Sequence, residues 1–146
     1  GTLWRLSGDR IRGAYKMINL QSLIGVPYVT LGRDIAKDGG LDCWGLVRVV
    51  YQEIGKGLLP EYLIDEKELK SAMFEKETSS STWEQIAKPE AFCIALFRFN
   101  DGGWHCGVVF PDKRRFIHCR KPRVMIERLD DATWHKLLKG YYRYAG

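Results

Sequence analysis

No run of apolar residues in this 146-residue chain approaches the ~20 that a bilayer-spanning helix needs, which excludes membrane insertion by a helix. Cysteine is sparse. The four present, Cys43, Cys93, Cys106 and Cys119, are too few at this length for the disulfide framework of a small secreted domain, so free thiols are expected. The opening GTLWRLSGDR contains no apolar signal-peptide core, and no internal repeat is visible. Histidine is scarcer still, at three residues, so any imidazole chemistry must come from His105, His118 or His135.

What is present is ordinary for a globular protein: 45% hydrophobic and 28% charged residues. A chain of this length is expected to fold as one domain, residues 1–146, around one core. The net charge of +5 favours an anionic partner. Nucleic acid is not expected, because no nucleic-acid-binding fold motif accompanies that charge.

Loosely helical spacing of Ile11, Ala14, Met17, Ile18, Leu20 and Leu23 predicts a helix over residues 11–25, followed by a glycine-rich loop. From Asp42 the pattern sharpens. Cys43, Leu46/Val47, Val50/Tyr51 and Ile54 recur at helical intervals, with Asp42 as N-cap and Gly55 suited to the C-terminal stop. Residues 65–77 predict a charged surface helix, and the serine-rich TSSS after it a flexible joint. Beyond Ala91 the chain becomes β-like: FCIALFRF, WHCGVVF, FIHC and VMIERL are separated by turn-forming NDGG, PDKRR and RKPR. An antiparallel meander is expected, then a short Asp-capped helix and a final strand at YYRY. Helices first and sheet second make an α+β fold.

Directly behind its N-cap, Cys43 would sit among the unsatisfied amides and positive dipole end of a helix, a setting that stabilises a thiolate. A nucleophilic thiol also needs an imidazole to hold the charge and protonate the leaving group. His105 and His118 fall on consecutive strands and can be neighbours across the ladder, whereas His135 reads as a surface residue. The bland alternative is that a helix cysteine is a small buried hydrophobe and a strand histidine is structural, a reading that also fits Cys93, Cys106 and Cys119. A zinc cluster of His105, Cys106, His118 and Cys119 is opposed by alternation, since adjacent strand residues point to opposite faces. The basic run KRRFIHCRKPR reads first as a solvated hairpin edge and second as an attractor of anionic polymers.

In this order, LDCWGLVRVVYQEIG, WHCGVVF, FIHC and VMIERL with a later tryptophan resemble the NlpC-type cysteine peptidases, papain-like enzymes that cut the peptide stems of bacterial cell wall. The DCWGLV variant is similar to the subgroup associated with phage tail assembly. The resemblance covers about residues 25–144. It implies a papain-like fold, with the nucleophile at the N-terminus of a central helix packed on an antiparallel sheet. It implies Cys43 as nucleophile, His105 as general base and His118 as the residue orienting that base. Tyr28 would support the oxyanion with the Cys43 amide, and Asp42 would cap the helix and read a substrate amine. Trp44 stands where cell-wall members usually carry serine and would reshape the pocket. Gly107, on the same strand face as His105, would leave room for the thiol-bearing helix.

No cofactor or metal is implied. The expected substrate is the peptide stem of peptidoglycan, the expected location a virion tail or bacterial envelope, and the further partners other phage tail proteins. Two other classes use the same residues: a catalytically silent tail module and a thiol acyltransferase.

Overall fold

The computed structural model describes residues 3–11, 14–56, 59 and 83–145. Strands β1 (Leu3–Ile11) and β2 (Ala14–Asn19) pair antiparallel as a separate ribbon, with an irregular register between Arg5 and Arg10. One 3₁₀ turn follows at Leu20–Leu23, then the single-turn helix α1 (Ile35–Asp38) and helix α2 (Cys43–Glu53). The remaining described elements are β3 (Trp83–Ile86), β4 (Ile94–Arg98), β5 (Trp104–Val109), β6 (Arg115–Arg120), β7 (Arg123–Arg128), α3 (Ala132–Leu137) and β8 (Leu138–Tyr144). Strands β3 to β8 form one antiparallel sheet in the order β3-β8-β4-β5-β6-β7.

The central strands are apolar throughout because both of their faces are covered. Ile94, Leu96, Cys106, Val108, Ile117, Cys119 and Val124 face α2 and pack with its Cys43, Leu46, Val47 and Val50. Ala95, Phe97, Val109 and Phe116 face the other way, where Trp134 of α3 closes a second, smaller core. Period-two alternation thus splits one sheet between two layers of cover.

Helix α2 starts and stops as its sequence demands. The Asp42 carboxylate accepts from the Gly45 amide at 2.8 Å, satisfying one of the first-turn donors. At the far end Gly55 takes φ 81°, its amide donates to the Gln52 carbonyl at 3.1 Å, and the Lys56 amide donates to Tyr51 at 2.9 Å. That pair of bonds is the glycine-terminated Schellman stop. Upstream, the loop through residues 25–29 lies along edge strand β7: the Gly25 amide donates to Val124 at 3.1 Å, the Val124 amide to Val26 at 2.9 Å, and Pro27 bridges Arg123.

The α+β class, the four-stranded meander, the Asp-capped helix α3 and the final strand match expectation, whereas strands β1 and β2 precede the helices that were expected to come first. The helix expected over residues 11–25 does not form. Residues 14–19 are β2, and only a 3₁₀ turn follows. The apolar spacing there was too loose to define a helical face, and pairing with β1 satisfies the backbone instead. The charged helix of 65–77 and the joint at 78–81 lie outside the described residues.

Candidate active site

Cys43 is the first residue of α2, and three contacts fix where that helix begins. The backbone at Tyr28 bridges Leu41 in parallel, with the Val29 amide on the Leu41 carbonyl at 2.9 Å and the Leu41 amide on Pro27 at 3.0 Å. The Cys119 thiol donates to that same Leu41 carbonyl at 3.1 Å, tying the loop to β6. Gly45, one turn into the helix, lets the Gly32 carbonyl approach so closely that any Cβ would collide with it.

Asp42 is buried at 6% exposure and ion-paired with Arg33, itself 8% exposed, whose guanidinium also donates to the Gly32 carbonyl at 3.2 Å. The carboxylate beside the thiol is therefore neutralised by Arg33 while it caps α2. Cys43 is buried at 2% exposure within the α2-side core.

The imidazoles meet as a pair. Gly107 on β5 is registered with His118 on β6, placing His105 diagonally beside it, and His105 Nε2 lies 2.8 Å from His118 Nδ1. One proton sits in that bond. In the neutral pair, one outer nitrogen then carries a hydrogen and the other a lone pair. These outer atoms, His105 Nδ1 and His118 Nε2, are buried and make no hydrogen bond among the described residues.

Aromatic rings enclose the pair. Trp134 is 4.7 Å from the His118 ring, Phe116 is 4.9 Å from it, and Phe99 stacks 5.3 Å from His105. Arg120 lies 4.5 Å above Phe99. Burial pushes the His105 pKa well below the ordinary imidazole value, helped by its neighbours His118 and Arg120. His118 is pushed down to about 3, first by burial and then by Arg120. Both rings are held neutral.

The structure unites His105 with His118. The thiol packs with Cys106 and Cys119 on the α2 side, while the imidazoles, one residue away on each strand, stack with Phe97, Phe116 and Trp134 on the α3 side. Among the described residues no hydrogen bond joins the thiol to either ring.

The reading of Gly107 is corrected by its neighbours. A Cβ there would meet the Ile117 carbonyl at 2.8 Å, Phe116 at 2.9 Å and His118 at 3.1 Å, so the missing side chain makes room for β6 and not for α2. Trp44 is buried edge-on against Trp83, ring centres 6.2 Å apart. Tyr28 is half-buried, its ring 5.9 Å from the Lys121 ammonium, and His135 is exposed. Arg33 went unrecognised in the sequence, its only signal an arginine in GRD, and Trp134 entered only as part of the resemblance and not as the cover of the imidazoles. Among the described residues, no three His, Cys, Asp or Glu side chains are placed to hold a metal.

A family model described as NlpC/P60 family matches residues 25–143. No curated protein sequence matches the chain. Among solved structures, the chain is similar to a Staphylococcus aureus protein described as similar to lipoprotein, NLP/P60 family. The two share 22% identity at TM-score 0.59, over 86% of this chain and 38% of that one. A Bacillus cereus NlpC/P60 family protein is 20% identical at TM-score 0.60, with 86% and 38% covered. The NlpC/p60 domain of the peptidoglycan hydrolase SagA is 18% identical at TM-score 0.56, with 84% and 91% covered. The chain spans just over a third of the length of the staphylococcal and bacillar proteins. At these identities, the likeness is one of fold.

Proposed function

Since the chain belongs to the NlpC/P60 family, we propose that residues 1–146 form one cysteine endopeptidase domain that hydrolyses an amide bond in peptidoglycan stem peptides. The observation carrying this reading is the family match across residues 25–143, with a cysteine at the first position of the helix that the matched segment builds. In the proposed reaction Cys43 attacks the scissile carbonyl. The Cys43 amide and the Tyr28 hydroxyl stabilise the oxyanion, His105 protonates the leaving amine, and His118 orients His105. Water then releases the acyl group. Asp42 keeps its cap and ion pair and offers the substrate amine a carboxylate, while Trp44 shapes the floor beneath the thiol.

Proton transfer requires the two groups within about 3 Å or bridged by one water. The DCWGLV sequence supports action in a phage or prophage tail, at the bacterial envelope, alongside other tail proteins. A second reading, a tail module that keeps the fold and performs no turnover, is favoured by the lack, among the described residues, of a hydrogen bond between the thiol and either imidazole.

Incubation with purified wall peptides, read by mass spectrometry for new free amines, separates the two. Cleavage that disappears in both Cys43→Ala and His105→Ala is the expected outcome. A peptide pool left unchanged by the wild-type protein establishes the silent module, and cleavage persisting in Cys43→Ala rejects the proposed nucleophile.

A further inference from the structure

On the side of α2 that faces away from the sheet lies a cleft of about 450 Å³, lined by Leu31, Arg33, Asp34, Lys37, Asp38, Arg48 and Gln52. Its size falls in the range of small-ligand sites. Most of its charges are already engaged. Arg33 is bound to Asp42, the Asp34 carboxylate caps α1 by accepting from the Lys37 amide at 2.8 Å, and Asp38 accepts from the amides of Arg33 at 2.9 Å and Asp34 at 3.1 Å.

Arg48 is different. Only 8% exposed, it donates through Nε to the Leu59 carbonyl at 3.1 Å and belongs to no ion pair among the described residues. Among the described residues this guanidinium has no ion-pair partner, and a carboxylate laid against its fork would form two parallel charge-assisted bonds. Lys37, also in no ion pair among the described residues, adds a second positive group at the same cleft, and Gln52 stands one turn beyond Arg48. The Asp34 and Asp38 carboxylates disfavour a doubly charged anion such as phosphate and suit an ammonium beside the bound carboxylate.

We propose that this cleft binds an amino-acid or peptide end bearing both a carboxylate and an ammonium, with Arg48 and Lys37 holding the carboxylate. Arg48 lies about 140° around the helix from Cys43, so the site is separate from the thiol and goes beyond the peptidase reading.

The test is a ¹H–¹⁵N NMR titration of the Cys43→Ala protein, which excludes turnover, with free lysine, with lysinamide and with inorganic phosphate. Lysine is expected to shift the amides of Lys37, Arg48 and Gln52 saturably, with lysinamide, lacking the carboxylate, at least about tenfold weaker. Arg48→Met is expected to lose the response while keeping the rest of its spectrum. If that variant does not fold, Lys37→Met, at an exposed position, provides the same comparison. Equal responses to lysine and lysinamide, tighter binding of phosphate at the same amides, or an undiminished response in the variant that folds would overturn the proposal. Each outcome stands whether or not the protein cleaves wall peptides.

Discussion

At the scale of single residues the buried imidazole pair has the clearest consequences. Above pH 6.5 both rings are neutral in the folded and unfolded chain alike, and they impose no penalty. Between that value and about 3, the unfolded chain takes up protons that folded His118 refuses, so stability falls as pH falls. The slope approaches about 1.4 kcal/mol per pH unit for each fully refused proton. Urea melts between pH 7 and 4 are expected to show this loss, and His118→Phe is expected to flatten it; an equal slope in the variant would place the acid sensitivity elsewhere. Trp134 closes the aromatic box over these rings, and Trp134→Ala should cost about 3–5 kcal/mol in the same assay.

Between residues and the whole stand the elements, and here the start of α2 is the most exposed to substitution. Arg33→Met strands the Asp42 carboxylate in a buried setting and should cost about 3–5 kcal/mol, part of which Asp42→Asn added on top returns because asparagine still caps the helix. If the double variant is no more stable than the single one, Arg33 acts through packing alone. Gly107→Ala should cost about 1–3 kcal/mol by crowding the Ile117 carbonyl and Phe116, with thermal melts as the measurement.

The same elements explain what could be read beforehand. Helix α2 was legible because cap, period and glycine stop all agreed, and the meander because turn residues punctuated each strand. The pairing of His105 with His118 followed from strand proximity. Which face they occupied did not, because β4, β5 and β6 are apolar on both sides and alternation in letters names no layer. Ribbon β1–β2 was missed because its stability depends on a partner strand and not on its own spacing. Arg33 was missed because an ion pair nine residues apart leaves no periodic trace.

For the molecule as a whole, the charge of +5 and the exposed basic residues of the β6–β7 hairpin predict electrostatic attachment to anionic wall polymers. Pelleting with purified cell walls should weaken steeply as salt rises from about 0.05 to 0.5 M, since exposed charges are screened over that range. A salt-independent pellet would reject that mode of attachment. The segment through residues 25–29 has a wider consequence still. It occupies the backbone groups of β7 that would otherwise sit at the rim of the sheet, and it also leads into the thiol-bearing helix. Variants that loosen it should therefore announce themselves as concentration-dependent self-association, strand zipping onto strand between neighbouring molecules, before any loss of chemistry is measured.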